Sequence, residues 1–550
     1  MTWRDFALHD YGARESIGKR ITPHPNGSLM PGTPLQLIPL ALFAFQGGHV
    51  GPASTTDPLS QATVGLIIVA VFVLLALERV HRLLVVIGAV AIIWGITYLT
   101  PLRLIGFSES TQALDFNVLF LLAAMMAIVG VLKQTGVFAW AVARILAVAG
   151  GDARLLLVML IGATALLSAF ADNVTTVIFI APMALQMARS IGVAPVAYLL
   201  PVVIASNIGG TATLIGDPPN IMIGSGANLT FVEFLANLAP PVMLMALMLP
   251  ALSVRYFSHD FAAARAATGS AGDKVPVPPI TDPLLLRWGL WISAFVFLGF
   301  FTHGLTGMPT SVPATIGAGA MLVVQDVLYL RRRLPNDEER RHGVLEVIEH
   351  EIEWPTLSFF GFLFIAVGAA VQTGLIDTLA VGLGRVVSEG SAWLGLGSLA
   401  TLLFAALLIA WVSACASAIV DNIPFVAVMI PIVHRLTAQL PGDASVLWWA
   451  LALGACLGGN GTAVGASANV TALGIAERAG VHVSFREFTR YGSLVAAMTL
   501  VVSSLYLTTH VFLGAHLAPL LWAGVVLAVL MTRGIWKLAR RRQARRALGV

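Results

Sequence analysis

The stretch "SNIGGTATLIGDPPN", Ser206–Asn220, interrupts an apolar segment that extends over residues 196–223. A helix cannot pass smoothly through Gly209-Gly210 and Pro218-Pro219, because each interior proline removes a backbone donor and costs about 3 kcal/mol. Unwound backbone is tolerated in the hydrocarbon region only where protein or a water-filled cavity satisfies its N–H and C=O groups. The stretch therefore predicts a broken transmembrane helix beside a polar site, with close packing of Gly-rich helices as the alternative explanation.

The composition is typical of a polytopic membrane protein. Hydrophobic residues make up 57% of the 550 and charged residues only 11%, and apolar runs of membrane-spanning length recur along the chain. The basic residues gather in short loops beside these runs, where the positive-inside rule explains them, so nucleic acid is not an expected partner. Cys415 and Cys456 lie in apolar surroundings and match no metal-ligand spacing, which argues against a disulfide framework or a zinc site.

The distribution of Lys and Arg predicts a multi-pass protein of the inner membrane with a cytoplasmic C-terminus. Near the N-terminus, the apolar run Leu35–Phe45 is either a short retained helix or an atypical signal segment. The predicted divisions are an N-terminal segment (1–60), a first half (61–256) whose repeat begins near residue 115, a cytoplasmic linker (257–283), connecting helices (284–330), a cytoplasmic loop (331–352), a second repeat (353–532) and a basic cytoplasmic tail (533–550).

The chain resembles itself in two registers, one of which has an offset of 249 residues. "ADNVTTVIFIAP" (171–182) matches "VDNIPFVAVMIP" (420–431), and "GGTATLIGDPPN" (209–220) matches "GGNGTAVGASAN" (458–469). Such self-similarity indicates two structural repeats. The second copy lacks the Asp-Pro-Pro of the first, so the two halves are predicted to form related but unequal sites.

A further match marks where each copy begins. "DFNVLFLLAAMMAIVGVLKQTG" (115–136) aligns without gaps on "EWPTLSFFGFLFIAVGAAVQTG" (353–374). The predicted topology starts the first copy outside and the second copy inside. The repeats are therefore expected to be inverted, an architecture that places binding sites near the bilayer midplane, where broken helices expose their ends.

Each copy carries an Asp-Asn pair between two apolar arms, Asp172-Asn173 in the first and Asp421-Asn422 in the second. An arm of about 17 residues reaches about 25 Å, so each pair of arms either re-enters the bilayer or almost crosses it. At the midplane an ionised aspartate costs at least about 2.5–3.5 kcal/mol. Such a carboxyl group can exchange a proton for a cation. A plain surface turn is the alternative interpretation.

These motifs resemble a known group. "SNIGGTATLIGDPPNIMIGS" (206–225) with the upstream "ADNVTTVIFIAP" (171–182) and, in the second half, "AIVDNIPFVAVMIP" (418–431) are similar to the ion-transporter superfamily. The likeness covers about residues 60–532, and the branch it indicates unites arsenite permeases, NhaD-type sodium/proton antiporters and the melanosomal P protein. It implies an all-α polytopic membrane protein with inverted repeats, two re-entrant hairpins, two broken transmembrane helices, a homodimeric scaffold and elevator-type movement.

The hairpin tips depart from one part of that superfamily. In its dicarboxylate and citrate transporters, a Ser-Asn-Thr motif at the tips binds substrate carboxylate and sodium, whereas this chain has Asp-Asn-Val-Thr at 172–175 and Asp-Asn-Ile-Pro at 421–424. Two acidic groups in a low-dielectric site repel di- and tricarboxylates by several kcal/mol. A cation, a proton or neutral arsenous acid is therefore the better expected ligand.

The predicted site joins the hairpin tips to the facing breaks, with Na⁺ and/or H⁺ as coupling ions and no other cofactor. Asp172 and Asp421 are the carboxylates expected to titrate and to bind the ion. Side-chain and backbone oxygens, which suit a small cation, complete the site. They belong to Asn173, Thr175 and Asn422 at the tips and to Asn207, Gly209, Gly210, Thr211, Thr213, Asp217, Asn220, Gly459, Asn460, Thr462 and Asn469 at the breaks.

The sequence thus predicts a proton-linked secondary transporter, with Na⁺/H⁺ antiport as the leading form. The alternatives are a permease for arsenite or another small inorganic or organic anion and, from another class, a gated anion channel. An enzyme is not expected, because the chain has no zinc-binding His-Glu-x-x-His and no Ser and His pair within the spans. The expected partners are the small transported ion, the lipid bilayer and a second copy of the chain.

Overall fold

The described part of the chain is all helical and contains no strand. Nine of its helices are long and apolar enough to cross a membrane, which confirms the polytopic fold class. Residues 1–56 with Leu35–Phe45, residues 268–278 of the predicted linker, residues 333–345 of the predicted loop and the last three residues lie outside the described residues. The computed structural model describes residues 57–77, 79–149, 152–267, 279–332, 346–440 and 442–547.

The first half contains two leading spans and then the first repeat. Several of its helices begin at the side-chain caps that the sequence provides: Asp115 accepts a bond from the backbone of Val118, and Thr230 and Glu233 form a capping box. The helices of this half are α1 (Pro58–Leu77), α2 (Arg82–Leu99), α3 (Phe107–Gln112), α4 (Phe116–Gln134), α5 (Val137–Ala149), α6 (Ala153–Ser168), α7 (Asn173–Ser190), α8 (Val196–Gly210), α9 (Pro218–Gly226), α10 (Phe231–Tyr256) and α11 (Ser258–Ala267).

The second half repeats this order, so that α14–α20 follow one another as α4–α10 do. Non-helical backbone at Gly514, with φ 83°, divides the last helix into two. The helices of this half are α12 (Pro283–Thr306), α13 (Ser311–Arg332), α14 (Trp354–Gln372), α15 (Leu375–Trp393), α16 (Ser398–Ser417), α17 (Asn422–Thr437), α18 (Val446–Gly458), α19 (Ser467–Arg478) and α20 (Phe485–Ala547). The inversion of the repeats relative to a membrane stays a prediction.

Helices α5 and α15 are not among the nine helices that are long and apolar enough to cross a membrane. Each follows the Gln-Thr-Gly sequence that ends the first helix of its repeat. α15 carries Asp377, Arg385 and Glu389, and charged residues at such intervals lower the mean hydropathy below that of a span. Equivalent helices at equivalent places nevertheless support the predicted repeat.

Each broken helix packs against the first arm of the hairpin in its own half. A Cβ atom on Gly209 would lie 2.1 Å from the carbonyl oxygen of Ala165, and one on Gly458 would lie 2.5 Å from that of Ala414. Only glycine permits this approach of α8 to α6 and of α18 to α16. The same contact in both halves fixes the depth at which each break meets its hairpin.

Candidate functional site

The two hairpin tips lie against the two breaks. In the first half, Ser168 Oγ donates to the carbonyl of Ser206 at 2.7 Å, and in the second, Ser417 Oγ donates to the carbonyl of Ala455 at 2.6 Å. Thr213 and Thr462, within the breaks, donate in the same way to carbonyls at the ends of the first hairpin arms. These matched bonds place each tip beside the interrupted middle of a membrane-length segment.

Burial of the tips argues against a surface turn. Asn173 is 4% exposed and Asn422 is 3% exposed. Asn173 Nδ2 donates to Asn207 Oδ1 at 3.2 Å, so the tip of the first hairpin is bonded to the end of α8. Asp172 and Asp421 accept bonds from the first backbone N–H groups of α7 and α17 and thereby cap the second hairpin arms.

Buried amides satisfy the unwound backbone. Asn220 Nδ2 donates to the carbonyls of Gly210 and Thr213 at 3.1 and 2.9 Å. In the second half, Asn469 Nδ2 donates to the carbonyls of Gly459 and Thr462, both at 2.9 Å. The two asparagines are fully buried, and their bonds replace those that the interrupted helices give up.

The two breaks are also bonded to each other. Asn207 Nδ2 donates to Asn460 Oδ1 and to Asn469 Oδ1, both at 2.9 Å. Cys456 occupies the position in the second half that Asn207 occupies in the first, and its Sγ lies 3.3 Å from Asn220 Oδ1. One side chain from each half thus reaches the asparagine of the opposite break. The amide network therefore links the two broken helices to each other.

The predicted glycines serve this packing and do not line a cavity. A Cβ atom on Gly210 would lie 2.6 Å from the carbonyl oxygen of Gly216, and one on Gly459 would lie 2.6 Å from that of Gly465. Each break therefore folds back on itself so closely that a side chain cannot enter. Gly209, Gly210 and Gly459 therefore affect the site through close backbone packing.

A small cavity, of about 40 Å³, lies between the tips and the breaks. Four residues of the predicted site line it, and apolar side chains of α4 close one wall. The volume accommodates a few water-sized groups. We call it the inner cavity; the polar residues that line it are Asp172, Asn173, Asp217, Asn422, Arg82, Glu353, Thr356 and Ser467.

Asp172 and Asp217 are the acidic groups of the first half in the inner cavity. Asp172 accepts bonds from the backbone of Val174 and Thr175 at 2.9 and 3.0 Å and from the Thr175 hydroxyl. Asp217 is 2% exposed, and its Oδ2 lies 3.4 Å from Asn422 Nδ2 of the opposite hairpin tip. Among the described residues, neither carboxyl has a Lys, Arg or His nitrogen within ion-pair distance.

Asp421 has different surroundings. It lines an outer cavity of about 400 Å³, which is open and adjoins the inner one through shared lining residues. Its Oδ2 accepts a bond from Ser467 Oγ at 2.6 Å and lies 4.0 Å from Arg82 Nη1. The two predicted titrating carboxylates are therefore not equivalent, because only the one in the second half has a cationic partner.

Reasoning from sequence missed Arg82 and Cys456 as well as three further residues of the inner cavity, which are Glu353, Thr356 and Ser467. Arg82 was not separated from the other basic loop residues, because nothing in the sequence links it to a tip several hundred positions away. Cys456 was assigned to apolar surroundings, although its alignment with Asn207 gave a signal that it lies in the network. Both cysteines are free, and no cluster of three or more His, Cys, Asp or Glu suited to a metal ion occurs among the described residues.

The oxygen donors of the inner cavity fit a small hard cation. Carboxylate oxygens of Asp172 and Asp217 and amide oxygens of Asn173 and Asn422 are the groups that such ions prefer. The remaining predicted members, which are Asn207, Thr211, Thr213, Asn220, Asn460, Thr462 and Asn469, lie in the hydrogen-bond network around the breaks. Thr175 supports Asp172 directly.

Comparison with known proteins places this geometry in a family context. The citrate transporter family matches residues 72–454. An uncharacterized transporter of Mycobacterium tuberculosis is 40% identical over 82% of this chain and 98% of its own length, and the 46 kDa membrane protein of Mycobacterium leprae is 36% identical over 80% and 96%. The P protein of Homo sapiens is 31% identical over 83% of this chain, which spans 61% of that protein.

A solved structure shares the fold. The crystal structure of the YdaH transporter of Alcanivorax borkumensis superimposes with a TM-score of 0.51 and covers 83% of this chain and 99% of its own. The sequence identity is 16%, so the likeness concerns the fold alone. It agrees with the all-α polytopic architecture described above.

Proposed function

The chain belongs to the citrate transporter family of membrane transporters, and on that premise we propose that it is a secondary active transporter that exchanges a cation for protons. Na⁺/H⁺ antiport is the leading form. The family is one of transporters, which agrees with a function other than catalysis. The coupling cation would bind in the inner cavity between the first hairpin tip and the first break.

The observation that carries the proposal is the uncompensated charge of the inner cavity. Three carboxyl groups line it, those of Asp172, Asp217 and Glu353, against the single guanidinium of Arg82. A buried carboxylate without a cationic partner is costly, whereas a bound cation or a bound proton removes the cost. Asp217 and Asp172 can therefore hold either a cation or protons, and competition between the two couples their movements.

The same charge argues against free citrate as the ligand of this cavity. A tricarboxylate would meet three carboxyl groups at short range, and in a low-dielectric site each such encounter is strongly repulsive. The volume of about 40 Å³ also favours a small ion. A permease for arsenous acid, which is neutral and small, is the second candidate function, and a gated anion channel is the third.

Access to the inner cavity runs past Arg82 in the described conformation. The outer cavity opens beside the connection between α1 and α2 and shares Arg82, Glu353 and Ser467 with the inner one. A third cavity, of about 450 Å³ around Asn117 and Thr310, has no lining residue in common with the inner cavity. Elevator-type movement of the hairpins and breaks relative to α4 and α14 would exchange the side from which the acids are reached.

The predicted setting completes the proposal. We place the protein in the inner membrane, as a homodimer with its C-terminus in the cytoplasm. The basic residues between Arg533 and Arg546 support that orientation under the positive-inside rule. Accessibility labelling of single cysteines introduced at Thr100 and at Ala547 would test it, because the two sites should be labelled from opposite sides.

Flux in proteoliposomes tests the proposed function. Imposed gradients of Na⁺ or Li⁺ should move protons, as read by an internal pH dye, and choline gradients should not. Asp217→Asn should strongly reduce this movement, and Asp326→Asn, which changes an exposed aspartate of α13, should leave it intact. The cation-exchange proposal is overturned if arsenite or citrate is carried without any cation dependence, or if a current reverses at the chloride potential without proton flux.

A further inference from the structure

The two half-sites differ in what faces their aspartates. Ser467 of the second break stands at the position that Pro218 occupies in the first, and Thr356 of α14 aligns with Val118 of α4. At these two positions the second half therefore carries hydroxyl groups where the first half carries none. Arg82 binds both hydroxyls: its Nη1 donates to Ser467 Oγ at 3.0 Å and its Nη2 to Thr356 Oγ1 at 2.9 Å.

Oxygen donors converge on this guanidinium. Ser467 Oγ also donates to Asp421 Oδ2 at 2.6 Å, and Thr356 Oγ1 donates to Glu353 Oε2 at 2.8 Å. Arg82 thus lies among two hydroxyl oxygens and two carboxyl groups, a set of ligands that suits a hard metal cation. The guanidinium occupies the place that such a cation would take.

The position of Arg82 in its helix supports a specific role. Arg82 is the first residue of α2, and the positive end of a helix dipole disfavours a cation there. Its side chain is only 33% exposed, and it lies 5.6 Å from the ring centroid of Phe359. These contacts hold the charge in place against the unfavourable dipole.

We propose that Arg82 is a resident cation that fills the half-site of Asp421, so that each chain binds one exchangeable cation and not two. The inference rests on the proposed cation exchange and adds its stoichiometry. It explains how a molecule with two similar halves can offer a single site. Arg82 acts here as a residue that determines specificity, through the carboxylate it neutralises.

A competing role for Arg82 is to bind a carboxylate of an anionic substrate. The geometry favours the resident-cation role, because both terminal nitrogens already donate to protein hydroxyls and one of them lies 4.0 Å from Asp421. A substrate carboxylate would have to displace these partners. Neither the wild type nor Arg82→Gln is therefore expected to bind citrate.

Equilibrium binding of ²²Na⁺ to the purified full-length protein in detergent tests the inference. The wild-type chain should bind one ion. Arg82→Gln should bind two, because the vacated oxygens then accept a second cation, and Arg82→Gln with Asp421→Asn should return to one. Arg79→Gln, which changes an exposed arginine three positions earlier, should bind one as the matched control.

Each outcome has a separate meaning. If Arg82→Gln binds one ion, as the wild type does, the resident-cation role is wrong while cation exchange stands. If the wild type binds no ²²Na⁺ that Li⁺ can displace, the proposed function itself fails. Where Arg82→Gln alone does not fold, the double variant decides, because it removes both charges together: one bound ion shows that the first half holds the exchangeable cation, as the inference requires, and none overturns the inference by showing that Asp421 holds it.

Discussion

In both halves of the molecule a hairpin tip is held to a helix break by the same bonds. Ser168 and Ser417 donate to equivalent carbonyls, and Asn220 and Asn469 donate to equivalent backbone groups of their own breaks. The glycines that let the break approach the hairpin arm also recur. The framework is therefore symmetric, and it could not by itself distinguish one half from the other.

The chemistry placed on that framework is unequal. Asp217 of the first half is replaced by Ala466 of the second, and Asn207 by Cys456. Arg82, which comes from outside both repeats, compensates the aspartate of the second half alone. Two copies of one fold thus yield one acidic site that lacks a cationic partner and one that has it. We attribute the ion chemistry to the first and a supporting role to the second.

The largest expected effect concerns the glycine contacts that both halves share. Gly209→Ala and Gly458→Ala should each prevent stable folding, because the added Cβ would lie 2.1 to 2.3 Å from backbone atoms of the hairpin arm, and overpacking of this kind costs about 1–3 kcal/mol or more. The control is Gly162→Ala in α6, where a Cβ meets no atom within 4 Å. Size-exclusion profiles after heating would show the difference. Normal thermal stability of either variant would break the equivalence of the halves.

The next effect concerns the aspartates, whose surroundings differ between the two halves. Asp217→Asn should lower cation-dependent proton flux by about 10- to 150-fold, since a charged ligand is worth about 1.5–3 kcal/mol. Asp421→Asn should reduce it less, because Arg82 already neutralises that carboxylate. Flux in proteoliposomes with equal amounts of folded protein provides the measurement. A greater loss in Asp421→Asn than in Asp217→Asn would reverse the assignment of the two halves.

A smaller effect concerns the pair Asn207 and Cys456. Asn207→Cys removes two donated bonds and one accepted bond in a buried network, so it should destabilise the protein by about 2–4 kcal/mol. Cys456→Asn, which places the same residue at this position in both halves, should lower the stability by about 1 kcal/mol or less. Thermal unfolding followed by intrinsic fluorescence would rank the two. Equal losses would indicate that the network does not depend on Asn207.

Much of this arrangement could be predicted from the sequence. The matching of Gly209–Asn220 with Gly458–Asn469 gave the repeat and both breaks, and the Asp-Asn pairs gave both hairpin tips. Local backbone rules sufficed there, because proline and paired glycines constrain the helix wherever they occur. Asp217, which was predicted as a site residue, lies in the inner cavity, and its role there stays a prediction.

The charge balance could not be predicted in the same way. Arg82 reaches Ser467 across 385 positions of the chain, and no local pattern specifies such a pairing. For the same reason, reasoning from the sequence predicted the same titrating role for Asp172 and Asp421. The glycines were predicted as part of the binding loops. Gly209 instead packs against the hairpin backbone, and Gly210 and Gly459 pack against the backbone of their own breaks, which a linear pattern does not distinguish.

The central claim is that the first half alone holds the exchangeable cation. Proton release on addition of Na⁺ or Li⁺ to weakly buffered, detergent-solubilised protein tests it most directly. The account predicts release from the wild type and from Asp326→Asn, and none from Asp217→Asn. Unchanged release from Asp217→Asn, or no release from the wild type, would contradict it.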